Sequence, residues 1–139
     1  MKLKREVLYQ VADEIEPGEE MHWLATGMLE TMQENKGMGL AAPQVGHSVR
    51  LIIGGHSQLG WSFVLINPTL VKTSKQMCPS FEGCLSFPGE KIKVMRHKRI
   101  VVEGYDLEWN LVKFKAHGVL GMCVQHEMDH LDGICIIAE

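Results

Sequence analysis

Apolar residues recur at three- and four-residue spacing early in the chain: Met21, Leu24, Met28, Leu29 and Met32. That spacing lines one face of an α-helix, and it predicts a helix over residues 19–35. Pro17-Gly18 breaks the chain before it, and Asn35-Lys36-Gly37 ends it, with the glycine available for a left-handed cap. Residues 1–17 form a polar lead-in whose apolar anchors Val7, Leu8, Val11 and Ile15 predict a segment laid across the core. Further on the pattern becomes that of extended chain. Strands are predicted at 49–54, 63–67, 70–73, 99–105 and 111–115, the last two joined across 106–110 as a hairpin. A second helical stretch opens after His117-Gly118. Val119, Leu120, Met122, Cys123, Val124, Met128 and Leu131 leave it almost no polar face, which predicts a buried central helix. Gly133 closes it, and residues 134–137 are predicted as a last short strand. The pattern describes an α+β fold, with antiparallel β-sheets around a central helix and one further N-terminal helix. It has no repeat, low-complexity tract or linker, so residues 1–139 read as a single domain.

The polar residues inside that apolar helix carry the chemistry. His126 and His130 stand four apart, with Glu127 directly after the first. On a helix such residues share a face, about 5–6 Å apart. Both imidazoles therefore reach one metal ion, and Glu127 sits at the edge of the same face, where it touches a bound water without ligating the metal. This is the His-Glu-x-x-His arrangement of metallohydrolases, whose metal takes three protein ligands and keeps one open position. Downstream candidates for the third ligand are Asp132, Cys135 and Glu139, all close behind the helix end. Cys84, in Glu82-Gly83-Cys84-Leu85-Ser86, is the better one, because a thiolate is a strong ligand for divalent transition metals. Cys123 shares the face of the histidines but lies roughly 10.5 Å along the axis from His130 at about 1.5 Å per residue. It reads as a wall of the site. A structural zinc held by Cys84, Cys123, His126 and His130 is the competing arrangement.

Composition narrows the reading only a little. The chain has 139 residues, 45% of them hydrophobic, and a net charge of −3, which gives no basic field for nucleic acid. One basic run, Lys91, Lys93, Arg96, His97, Lys98 and Arg99, fits a solvated strand edge as well as an acidic partner. The N-terminus is charged with no apolar stretch behind it, so no signal peptide is expected. No apolar run approaches the roughly 18 residues of a membrane span. The four cysteines show no disulfide pattern, which fits a reducing, cytosolic setting. Gly37-Met38-Gly39-Leu40-Ala41-Ala42-Pro43-Gln44 describes backbone that something approaches closely. It follows a helix instead of opening one, which excludes a nucleotide-binding loop. Gln44 offers a side-chain amide, either to a ligand or to the loop itself.

Three stretches together resemble the signature motifs of the peptide deformylase family. They are Gly37 to Gln44, Glu82 to Ser86, and Gln125-His126-Glu127-Met128-Asp129-His130-Leu131-Asp132-Gly133. The resemblance covers about residues 5–135. It implies a metal-dependent hydrolase that removes the N-formyl group from formyl-methionyl nascent peptides and releases formate. It implies one divalent metal ion, Fe(II) in the cell, with Ni(II), Co(II) or Zn(II) able to substitute. By matching positions, Cys84, His126 and His130 are the metal ligands, and Glu127 is the general base and acid for attack by metal-bound hydroxide. Gln44 and the Leu85 N–H are the donors to the formyl oxygen. Gly39 pairs with the extended substrate. Met38, Val119, Met122 and Cys123 line the methionine pocket, and Glu82 is a pocket wall and loop anchor. Asp129 reads equally as an acceptor that orients an imidazole and as a surface hydrogen bond.

The sequence departs from the common bacterial pattern. It ends six residues after Gly133, where many members continue into a C-terminal helix, and Lys91 stands where an arginine is frequent. A compact form is therefore expected, of a kind found among phage-encoded members, with weakened docking at the ribosome, no membrane association and a monomeric state. The cytoplasm of a bacterium, or of a host cell, is the expected location. Two readings of other classes remain beside this one: a metallopeptidase of the His-Glu-x-x-His type, and a non-catalytic structural zinc domain.

Overall fold

The chain runs α1 (His22–Glu34), β1 (Gly39–Ala41), a 3-10 turn (Ala42–Val45), β2 (Leu51–His56), β3 (Trp61–Thr73), β4 (Met77–Cys84), β5 (Phe87–His97), β6 (Arg99–Tyr105), β7 (Leu111–His117) and α2 (Gly118–Leu131). The structure, a computed structural model, describes residues 1–137. A five-stranded antiparallel sheet has the order β1-β2-β3-β6-β7, and β4 and β5 form a separate two-stranded sheet. This is the expected α+β architecture. Among the described residues no helix is long and apolar enough to cross a membrane.

The run Leu51-Ile52-Ile53 sets the layering. Successive strand residues face opposite sides of a sheet, so a continuous apolar run needs cover on both. Ile52, with Phe63, Leu65, Ile100 and Val102, packs under Val124, Met128 and Leu131 of α2. Leu51 and Ile53, with Leu40 and Ile66, pack under Leu24, Met28 and Met32 of α1. The larger sheet is thus sandwiched between the two helices, and α2 lies between it and the β4–β5 hairpin.

Several details differ from the sequence reading. Helix α1 begins at His22, three residues later than its pattern suggested, and Leu29 is exposed. Its left-handed cap is Lys36 (φ 55°), not Gly37. Gly37 N–H donates to Met32 O and Lys36 N–H to Gln33 O, which closes the last turn. Gly37 instead lies against Leu85: a Cβ there would lie 2.4 Å from Leu85 Cδ1 and would displace that side chain. The two strands expected at 63–67 and 70–73 are one strand, β3, whose register shifts around Asn67-Pro68. Residues 134–137 form no strand; Cys135, Ile136 and Ile137 pack irregularly against Leu8, Cys84 and Phe87, and Ile134 is exposed. Helix α2 is less uniformly covered than its composition implied, since Val119 is 41% exposed.

The largest omission is the β4–β5 hairpin itself. Its alternation is inverted. Met77, Pro79, Phe81, Lys93 and Met95 face solvent, while Ser80, Glu82, Cys84, Val94 and Arg96 face α2. A hydrophobicity pattern seeks the apolar face inside, and here that face is outside.

The start of α1 is tied to the β6–β7 loop through His22. Its Nδ1 lies 2.5 Å from Glu20 Oε1 and its Nε2 3.1 Å from Glu108 Oε1. These hydrogen bonds, that with Glu20 first, raise the ring's pKa above its ordinary 6.5. A group raised in the folded state adds stability that is complete below its unfolded pKa and fades as pH rises through the folded one. The Tm deficit of His22→Gln should therefore be largest below pH 6.5 and disappear at alkaline pH. A deficit that grows with pH in thermal melts would contradict this.

Candidate metal centre

Helix α2 carries four polar side chains, Gln125, His126, Glu127 and His130, into the interior. It opens at Gly118, which takes a left-handed φ of 58°, and it closes at Gly133 (φ 74°) with Ile134 N–H donating to Asp129 O. Each buried polar group needs a partner. Gln125 finds one in the backbone: its Oε1 accepts from His97 N–H (2.9 Å) and its Nε2 donates to His97 O (2.9 Å). This clamps the end of β5 to α2.

His126 is held from behind. Its Nδ1–H donates to Glu82 Oε1 at 2.8 Å, which leaves Nε2 for a ligand. Glu82 is in turn gripped by Arg96, whose Nε and Nη2 donate to the two carboxylate oxygens at 3.0 and 2.7 Å. The third guanidinium nitrogen reaches Asp129 at 2.5 Å. Burial works against ionisation of Glu82, but the Arg96 and His126 hydrogen bonds outweigh it and bring its pKa down to about 2. Glu82 therefore lines the cavity and also fixes the orientation of an imidazole. Asp129 pairs with Arg96 and not with a ring. Arg96 escaped the sequence reading within a run of basic residues. The signal was alternation: among the cations of that run, it is the one on the inward face of β5.

Three donors converge. Cys84 Sγ and one nitrogen each from His126 and His130 lie within 4.8 Å of one another, all buried. His130 Nε2 is 3.5 Å from Cys84 Sγ. Burial, reinforced by His126, lowers the His130 pKa to about 3, so the ring is neutral as a ligand must be. Its Nδ1 is buried with no hydrogen-bond partner. A neutral ring so poorly served by hydrogen bonds, beside a second imidazole and a thiol, fits a divalent transition metal. Cys84 itself is pushed up by its hydrogen bond with Cys135 and by burial.

Cys123 is not part of this cluster. Its Sγ lies 3.7 Å from Met38 O, so it lines the wall, and the four-ligand zinc arrangement is not formed. Asp132 points away to Arg50. Cys135 is half-buried and meets Cys84, while Glu139 lies outside the described residues.

Glu127 is buried, and its Oε1 has no hydrogen-bond partner. Burial raises its pKa to about 7 against the opposing pull of His126. Gly39 permits its position, because a Cβ on Gly39 would lie 2.6 Å from Glu127 Oε2 and 2.7 Å from Cys123 Sγ. Of the two roles read for Gln44, the hydrogen bond to its own loop is formed. Its Oε1 accepts from Ala41 N–H (2.9 Å), which fixes the amide, and its Nε2 faces Cys84 Sγ (3.4 Å) and Ser86 Oγ (3.2 Å).

A cavity of about 980 Å³ opens onto this centre. Met38, Gly39, Glu82, Val119, Met122 and Cys123 all line it, with Cys84, Leu85, His126 and Glu127. Gln44 and His130 are buried and do not line it.

Comparison with known proteins accounts for this arrangement. Residues 1–139 match the family model for polypeptide deformylase. The chain is 44% identical over 119 residues to a peptide deformylase of Dictyoglomus thermophilum, covering 86% of this chain and 76% of that one. It is 41% identical over 140 residues to one of Thermodesulfovibrio yellowstonii, covering 98% and 84%. Among solved structures, that of the Vibrio parahaemolyticus bacteriophage VP16T enzyme in complex with actinonin superposes with a TM-score of 0.93 at 35% identity, covering 98% of this chain and all of that one. The Thermotoga maritima peptide deformylase follows at 0.91 and 32% identity, covering 97% and 93%. With sequence and fold matched along the same length, the chain belongs to the peptide deformylase family.

Proposed function

We propose that residues 1–139 form one catalytic domain that removes the N-formyl group from formyl-methionyl nascent peptides. The observation that carries this reading is the meeting of Glu127, buried with an unpartnered oxygen, and the Cys84–His126–His130 cluster on one cavity. A divalent metal held by Cys84, His126 and His130 supplies a Lewis acid and an activated water near neutral pH. The thiolate and imidazole donor set supports Fe(II) as the cellular metal, with Ni(II), Co(II) or Zn(II) as substitutes.

The remaining steps belong to the chain. Glu127, with its carboxyl balanced near pH 7, takes the proton of the attacking water and returns it to the leaving amine. As the formyl oxygen gains charge, Gln44 Nε2 and the Leu85 N–H donate to it. The Ala41–Gln44 bond holds the amide so that nitrogen, not oxygen, faces the site. Glu82, locked by Arg96, keeps His126 in one orientation. Met38, Val119, Met122 and Cys123 receive the methionine side chain, and the backbone at Gly39 pairs with the extended peptide. A formyl carbon bears only hydrogen, so a close-fitting site rejects an acetyl group by its methyl. Nascent chains as substrate place the work in the cytoplasm, beside the ribosome.

The decisive experiment measures formate release from a formyl-Met-Ala-Ser peptide by protein loaded anaerobically with Fe(II) or Ni(II), beside its acetylated and unformylated twins. Formate from the first peptide alone is expected. Cleavage of the unformylated peptide would instead support a metallopeptidase, and full metal with no turnover would support a structural domain.

Glu127→Ala should keep its metal and lose about 10²–10⁴-fold in kcat; unchanged turnover would remove the assigned base. Arg96→Leu leaves Glu82 buried without its cation, a loss of about 3–5 kcal/mol in stability. Urea unfolding of the metal-free protein checks this figure, and a variant as stable as the parent would show that the ion pair holds nothing in place.

A further inference from the structure

Two thiols meet beside the metal cluster. Cys84 ends β4, and Cys135, on the irregular segment after α2, packs against the buried cluster that Cys84 forms with Leu8 and Phe87. The segment is held there. Gly133 turns the chain with its left-handed φ and packs so closely on the N-terminal lead-in that a Cβ would lie 2.8 Å from Tyr9 O. Tyr9 Oη–H donates to Ile137 O at 2.8 Å and pins the far side. Between these anchors Cys135, Ile136 and Ile137 pack on Leu8, Cys84 and Phe87. Both cysteines are free thiols, Cys84 is reached from the cavity, and Cys135 is half-buried. The reaction proposed above has no use for Cys135.

We propose that Cys84 and Cys135 form a peroxide-responsive disulfide that withdraws Cys84 from the metal and returns it on reduction. This rests on reading Cys84 as a metal ligand. The chemistry balances with a hydroperoxide as oxidant. The Cys135 sulfur attacks one peroxide oxygen; the O–O bond breaks, and water leaves as a sulfenic acid forms. The Cys84 sulfur then attacks that sulfur; the S–O bond breaks, a second water leaves, and the S–S bond forms. Two thiols lose two electrons, and one peroxide gains them. Without Cys135, an oxidised Cys84 has no neighbouring thiol to resolve it and proceeds to sulfinic and sulfonic acids, which thiols do not reverse.

The test uses zinc-loaded protein, so that the metal itself is not oxidised. Hydrogen peroxide is added, zinc release is followed with a chromogenic chelator, and the product is mapped by mass spectrometry. Trypsin leaves Cys78 with Cys84 in one peptide and Cys123 with Cys135 in another, so fragmentation spectra must place the link. The expected result is a Cys84–Cys135 link, one zinc released per link, and full zinc rebinding after dithiothreitol. Cys135→Ser should release zinc with added oxygen on Cys84, and dithiothreitol should not restore binding. Zinc loss from the parent protein without that link would overturn the proposal. So would recovery of Cys135→Ser equal to that of the parent. A link formed with zinc retained would instead remove Cys84 from the ligand set, and the switch with it.

Discussion

A helix that brings two imidazoles, a carboxylate and an amide into an apolar core sets the terms for the rest of the molecule. Buried polar groups left without partners cost free energy comparable to the packing gained around them. The partners of α2 come mainly from β4 and β5, a sheet that shares no backbone pairing with the larger one. Glu82 meets His126, Arg96 meets Glu82 and Asp129, and the backbone of His97 meets Gln125. The two sheets are thus joined through the polar side of one helix. The apolar side of the same helix rests on Ile52, Leu65 and Val102 as an ordinary core.

Sheet packing explains why some of this was legible in the sequence. The spacing of His126 and His130 is a local property of a helix, and the apolar stripe of α1 is another. The run Leu51-Ile52-Ile53 announces a strand covered on both faces. None of these depends on knowing what lies far away in the chain. The hairpin of β4 and β5 does depend on it, since its inward residues are polar only because α2 presents polar groups to them. Read alone, Ser80, Glu82 and Arg96 look like a solvated face, and Phe81 like core; their true positions are the reverse. Arg96 was hidden for the same reason, since charge alone does not separate it from Lys93 or Lys98. The cap of α1 failed differently. Glycine is the preferred left-handed residue, but the left-handed turn falls on Lys36, and Gly37 lies against the Leu85 side chain.

Close approach recurs around the centre. Gly37 admits Leu85, and Gly39 admits Glu127 and Cys123. A glycine pair two residues apart lets one short strand edge touch both the loop that follows Cys84 and Glu127 on α2. Gly37 and Gly39 themselves line the cavity, so backbone forms part of its wall.

The inverted face of β4 and β5 has a consequence for how the sequence tolerates insertion and deletion. In a two-stranded ribbon every side chain changes sides when the pairing slips by one residue. A slip in β4 would turn Glu82 and Cys84 to solvent together and press Phe81 against α2. One residue gained or lost between Met77 and Glu82 would therefore be felt at the Cys84–His126–His130 cluster, at the orientation of His126 and at the Arg96 ion pair at once. Substitutions on the outer face, at Pro79 or Met95, touch none of the three. Length, more than composition, is the property of this hairpin on which the site depends.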